Sequence, residues 1–157
     1  MAEKSIPNVK ASTGTSAAGR PYRTEIRVRF GDCDPAGIVF YPRYLEIFNG
    51  LVEDWCRDEL QYSFPDLITQ RGWGLPTVHL EVDFLAPSRF GDVLSASLSV
   101  RSVGRSSVNI DIVLCSQDGK ERVRGKVVLV LIDRKPHKAI PIPDELRARM
   151  LAFRASE

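Results

Sequence analysis

"YPRYLEIFNGLVEDW", Tyr41–Trp55, is the stretch that decides the architecture. Pro42 suits the first turn of a helix, where a missing N–H costs no intrahelical bond. After it Tyr44, Phe48, Leu51, Val52 and Trp55 recur at helical spacing, and Leu45 and Ile47 widen the stripe. So broad an apolar surface on one helix calls for an extended cover, most simply a sheet.

Working outward, the flanking segments supply the strands. "YRTEIRVRF" (Tyr22–Phe30) places Ile26, Val28 and Phe30 on one face and Glu25, Arg27 and Arg29 on the other, the pattern of a half-buried strand that Gly31 ends. "SFPDLITQRG" (Ser63–Gly72) reads as a short second helix with Asp66 near its start and Gly72 beyond its end. "TVHLEVDFL" alternates through Val78, Leu80, Val82 and Phe84. "DVLSASLSVRSV", "SSVNIDIVLCS" and "ERVRGKVVLVLID" follow, the last two joined by "QDGK", whose Asp118-Gly119 marks a hairpin turn. Pro143, Asp144 and Glu145 open a C-terminal helix. A strand, a long helix and then four strands in a meander make an α+β fold with an antiparallel sheet and one principal helix.

The first 20 residues carry almost no large apolar side chains, and "ASTGTSAAG" cannot bury enough surface to offset its ordering entropy. They are expected to form a disordered tail, with one domain over residues 21–157. A near balance of 22 basic and 20 acidic residues gives no electrostatic case for nucleic-acid binding. Three cysteines at unrelated spacings read as free thiols, and two histidines make a zinc site improbable. No apolar run approaches the roughly 20 residues of a membrane span, and no apolar leader is seen, so a cytoplasmic protein is expected.

The loop ahead of the long helix is "RFGDCDPAGIVFYPRY" (Arg29–Tyr44). It ends near Tyr41 and Pro42, where the first helical N–H groups lack partners and the dipole is positive. Such a terminus can hold a developing oxyanion. A carboxylate a few residues earlier can reach the same point and attack directly or activate water. Ala36 and Gly37 leave room for a substrate. Against this, Asp-Pro and Pro-Ala-Gly are ordinary turn chemistry, and an acid before a helix is often a cap. Asp32, at the strand exit, is the weaker candidate. Cys33, between two acids, has its thiolate disfavoured.

"FGDCDPAGIVFYPRY" resembles the signature of the 4-hydroxybenzoyl-CoA thioesterase family of hotdog-fold proteins, over roughly Tyr22–Ile142. The resemblance implies an antiparallel sheet wrapped around one long central helix. It implies hydrolysis of an aromatic acyl-CoA, such as a benzoyl or hydroxybenzoyl ester, to acid and CoA. The acid before the proline, Asp34, is then the catalytic nucleophile or general base, and the Tyr41 N–H is the oxyanion donor. Gly37 and Tyr44 fall to substrate binding. Read alone, "VGRSSVNI" is most simply a solvated turn; under the resemblance its Arg105, Ser106 and Ser107 match the hairpin that holds the CoA nucleotide, a guanidinium and hydroxyls suited to phosphate. Coenzyme A belongs to the substrate, and neither metal nor redox cofactor is implied. A homodimer with interface active sites, often paired into a homotetramer, is implied as well.

Two other readings stand beside this one. A non-catalytic acyl-CoA-binding module has no need of an acid at Asp34. A hydratase would use His79 with Glu81 or Asp83, which alternation instead assigns to a polar outer face. His137 and Lys138 read as a solvated loop, Trp55 as core, and Trp73 as core or acyl pocket. "RFGD" occurs at Arg29–Asp32 and at Arg89–Asp92 and is read as a coincidence of turn chemistry.

Overall fold

The computed structural model describes residues 19–156. Most of the expected tail lies outside them. Gly19 does not: its N–H donates to the Ala152 carbonyl at 3.0 Å.

Strand β1 (Tyr22–Arg27) leads through a loop to helix α1 (Pro42–Trp55). A π-type turn, Cys56–Leu60, extends α1 and ends on Gln61 in the left-handed region. "SFPDLITQRG" forms only one wide turn, Asp66–Gln70, closed by Gly72 at φ +69°. Then come β2 (Trp73–Gly74), β3 (Thr77–Phe84), β4 (Val93–Val103), β5 (Ser107–Cys115), β6 (Glu121–Val130), β7 (Ile132–Asp133), β8 (Lys138–Ala139) and α2 (Asp144–Leu151). β2, β7 and β8 form a small separate sheet.

The main sheet is antiparallel with strand order β1-β4-β5-β6-β3. The four-strand meander is therefore corrected to three strands, β4, β5 and β6. β3 pairs with β6 at the far edge and β1 closes beside β4. Alternation reports which face a residue occupies and says nothing about its strand's neighbour. The Leu85–Asp92 connection carries the chain from β3 to β4 across three strand spacings, about 14 Å, within reach of eight residues. Arg122 at the start of β6 pins this crossing: its Nη1 donates to the Pro87 carbonyl at 2.5 Å and lies 3.5 Å from Asp92 Oδ2.

One face of the sheet is apolar throughout its centre. Leu94, Ala96, Leu98 and Val100 of β4, Val108, Ile110, Ile112 and Leu114 of β5, and Val123, Val127 and Leu129 of β6 are buried. They meet Tyr44, Phe48, Leu51, Val52 and Trp55 of α1, the stripe read from the sequence. Trp55 is core: it is fully buried, edge-on to Phe153 with centroids 5.9 Å apart. Trp73 is half-buried beneath the Arg71 guanidinium, which also covers Tyr62. Edge strand β3 breaks the pattern. Leu80 is 39% and Phe84 51% exposed, on the face that should be covered, and exposed Val78 is the extra residue of a bulge between Thr77 and His79. His79 and Glu81 point the other way and pair at 3.0 Å, as a polar outer face should.

β1 is tied to the end of α1 by the Tyr22 phenol, which donates to Asp58 Oδ2 at 3.0 Å. Burial first, then the Asp58 carboxylate, push the phenol well above its ordinary value. It stays neutral in the fold while the unfolded chain ionises near pH 10. Its contribution to stability is thus present below about pH 10 and is lost above it. Tyr22→Phe should flatten the fall of unfolding free energy between about pH 10 and 11.5. Denaturant melts of both proteins across that range test this, and parallel curves would remove the phenol from the account.

Candidate active site

The loop from Val28 to Tyr41 is built of two successive turns. In the first, Asp32 Oδ2 accepts the Arg29 N–H at 2.8 Å, and the Asp32 N–H returns to the Arg29 carbonyl at 3.0 Å. The turn before β4 repeats this at the other "RFGD": Arg89 N–H to Asp92 Oδ2 at 2.8 Å, Asp92 N–H to the Arg89 carbonyl at 3.0 Å. The two stand side by side. Val28 N–H donates to the Asp92 carbonyl, Gly91 N–H donates to the Val28 carbonyl, and Phe30 meets Phe90 edge to face at 5.9 Å. The repeat read as coincidence is a matched pair of turns. It also accounts for Asp32, whose carboxylate does what Asp92 does where α1 does not begin.

Asp34 opens the second turn. Its Oδ1 accepts the Ala36 N–H at 2.8 Å, its carbonyl accepts the Gly37 N–H, and its own N–H donates to the Ile38 carbonyl, both at 2.9 Å. The turn role weighed for this acid is therefore present, whereas the helix-capping one is not: no side chain caps α1. Oδ2 has no protein partner among the described residues, and the residue is half-buried. Gly37 takes φ +80°, and nothing lies within 4 Å of where a Cβ would stand. Glycine is needed there for the backbone, and it leaves that side of the turn open.

The loop then fastens to the sheet and delivers the helix. Val39 N–H donates to the carbonyl of buried Ser88, and Phe40 N–H to the Asp32 carbonyl. Arg43 and Tyr44 amides donate back to the Phe40 and Tyr41 carbonyls. The Tyr41 N–H donates to no group among the described residues. It is a free donor at the positive end of a 14-residue helix, seven residues after Asp34.

Aromatic rings wall this end of the helix. Phe84, the last residue of β3, meets Tyr41 edge to face with centroids 6.1 Å apart and Tyr44 at a tilt at 5.8 Å, and Phe40 meets Tyr41 at 5.6 Å. The sequence reading placed Phe84 on a strand face and not at the site. Its signal was its place at the end of β3's apolar face, and only the pairing of β3 beside α1 brings it here. Tyr44 is buried beneath Phe84. Below the rings an apolar pocket opens between α1 and the β3 edge, lined by Leu45, Phe48, Val52, Leu80, Val127 and Leu129, with Asn49 and Thr77 its polar members. Tyr44 is not among its lining. A second, more open cleft beside the β5–β6 hairpin is bordered by Asp92, Asp118 and Arg122. Those groups are occupied by one another and by Ser116.

The expected CoA residues lie elsewhere. Arg27 pairs with Val93 and Ser95 with Cys115 at the sheet end that carries Asp34. Val103 pairs with Val108 at the opposite end, where the β4–β5 turn holds Arg105, Ser106 and Ser107. One chain does not bring that turn to Asp34. Among the described residues no three His, Cys, Asp or Glu side chains gather as a metal site, and no helix is long and apolar enough to cross a membrane.

A family model described as the thioesterase-like superfamily matches residues 28–150. The chain belongs to that superfamily. The matched span runs from the loop before Asp34 into α2, and the fold is the hotdog: an antiparallel sheet with a long helix packed against it. Its relatives include a 1,4-dihydroxy-2-naphthoyl-CoA hydrolase of Nostoc punctiforme, 31% identical over 121 residues, 76% of this chain and 79% of that one. The hydrolase of the same name from Synechocystis sp. is 27% identical over 120 residues, 76% of this chain and 86% of the other. A solved gentisyl-coenzyme A thioesterase matches with a TM-score of 0.72 at 28% identity, over 80% of this chain and 99% of that one.

Proposed function

We propose that this chain is an acyl-CoA thioester hydrolase acting on aromatic acyl groups. The observation that carries the reading is the free Tyr41 N–H at the head of α1, following the Asp34 turn and bordered by Phe84 and the α1–β3 pocket. The names of the relatives, hydrolases of aromatic CoA thioesters, support it.

The thioester carbonyl oxygen accepts from the Tyr41 N–H, so the charge that develops on it is met by a preset donor and the helix dipole. Asp34 attacks the carbonyl carbon through Oδ2, or takes a proton from the water that does. The tetrahedral intermediate collapses with loss of the CoA thiolate. On the nucleophilic route water then cleaves the mixed anhydride; on the other the acid forms directly. The acyl ring enters the α1–β3 pocket past Leu45 and Leu80.

The reading includes a dimer through β3. That strand is an unpaired edge in one chain, with Leu80 and Phe84 exposed on its apolar face and Val78 exposed at its bulge, a combination that favours addition of another strand. Antiparallel pairing of two β3 strands sets the partner's sheet end for end. The partner's β4–β5 turn then comes to the end that carries Asp34, two to three strand spacings, roughly 10–14 Å, from the edge. Arg105, Ser106 and Ser107 would hold the CoA nucleotide in that arrangement.

The test joins both halves. Thiol release is measured over a panel of aryl- and alkyl-CoA esters, beside sedimentation of the wild type and of Val78→Lys with Leu80→Lys. A dimer that prefers aryl esters is expected, and a charged β3 that sediments as a monomer and loses most of its turnover. Preference for alkyl esters would overturn the substrate class, and a fully active monomer the shared site.

A further inference from the structure

The β4–β5 turn is unusually closely held. Gly104 N–H donates to the Ser107 carbonyl at 2.7 Å, and a Cβ on Gly104 would lie 2.7 Å from Ser107 Oγ. The turn is therefore tight enough to press the Ser107 hydroxyl against the chain two residues before Ser106. Its carbonyls do not simply face water. Leu131 N–H donates to the Ser106 carbonyl and Ile142 N–H to the Arg105 carbonyl, both at 2.8 Å.

The third restraint is a side chain. From α2, the Arg147 Nη2 donates to the Gly104 carbonyl at 2.8 Å and to the Arg105 carbonyl at 3.4 Å, and Nη1 to the Val103 carbonyl at 3.4 Å. Three consecutive carbonyls thus share one guanidinium. Among the described residues Arg147 has no carboxylate partner, and it is half-buried. α2 itself is seated by Leu146 and Met150, both buried. A planar fork with several donors fits such a set of acceptors, and a lysine ammonium does not match it.

We propose that Arg147 is a positioning residue for coenzyme A: it fixes the backbone of Val103–Arg105, so that Arg105, Ser106 and Ser107 meet the nucleotide phosphates already arranged. Its own charge, unpaired with any acid, adds to the positive field at the turn. This rests on the reading above that the turn receives CoA. Arg147 touches neither the acyl group nor the reacting atoms, so its effect belongs to binding of the nucleotide and not to bond cleavage.

Steady-state kinetics separates these roles. One aryl acyl group is offered as its CoA ester and as its N-acetylcysteamine ester, which has no nucleotide. Arg147→Met, Arg147→Lys and Arg105→Ala are compared with wild type. Arg147→Met is expected to raise KM for the CoA ester by about tenfold, the scale of losing one charge-assisted hydrogen bond, with the rise absent for the truncated ester. Arg147→Lys should fall between. A rise shared equally by both esters, or a fall in kcat alone, would show a merely structural role and overturn the proposal. So would an unchanged KM in Arg147→Met while Arg105→Ala raises it. If Arg105→Ala changes nothing, the CoA reading of the turn fails and this inference with it. Wild type inactive on both esters would instead defeat the proposed reaction.

Discussion

Asp34→Asn lowers thiol release from an aryl-CoA by about a thousandfold, the scale of losing a positioned base or nucleophile, while its melting temperature stays close to that of wild type. Asparagine keeps a carbonyl oxygen where Oδ1 accepts the Ala36 N–H, so the turn and the delivery of α1 survive. It cannot accept a proton from water or attack a carbonyl. Asp32→Asn is the comparison. Its side chain caps the Arg29–Asp32 turn as Asp92 caps the turn before β4, and the amide oxygen still accepts the Arg29 N–H, so it loses far less. Both variants are read by thiol release and by thermal melting. Near-normal turnover in Asp34→Asn, or equal losses in the two, would move the chemistry to another group in the loop.

Gly125→Val lowers the unfolding free energy by about 3 kcal/mol, the upper part of the range for overpacking a core. For a chain of this size that is roughly 6–12 °C in melting temperature. A Cβ at position 125 would stand 2.3 Å from Phe48 Cε2 and 2.9 Å from its Cζ. Gly125 is the gap in β6, between buried Val123 and Val127, through which α1 makes its close approach to the sheet. Neither side can yield cheaply, because Phe48 is nearly fully buried and β6 is paired on both edges. The milder Gly125→Ala should be partly rescued by Phe48→Leu, and the failure of the two to add measures the contact. Thermal and denaturant melts give both numbers. A Gly125→Val protein as stable as wild type would mean that α1 crosses the sheet elsewhere.

The candidate site was unevenly legible. Asp34, Gly37 and Tyr41 lie in one continuous stretch, and local rules apply to them: a turn acid, a glycine where φ is positive, a free amide where a helix begins. Phe84 was hidden because its distance from Tyr41 along the chain is bridged only by strand pairing. Arg105, Ser106 and Ser107 showed their chemistry as a guanidinium and hydroxyls in a turn. Their distance from Asp34 follows from the register of β4 and β5 and has no local signature.

By itself the sequence determined the class of the fold, the long helix, its buried stripe and the loop that carries the acid, because side-chain periodicity and turn chemistry act over a few residues. It determined that the segments of β4, β5 and β6 are strands. Tertiary structure alone decided that β3 leaves the meander for the far edge, that the two "RFGD" turns stack, that Gly125 admits Phe48, and that Arg147 grips the β4–β5 turn. Each of these joins segments distant along the chain. Such pairings are chosen by how whole faces pack and by where unpaired backbone groups find partners, and a residue's near neighbours carry no record of that choice.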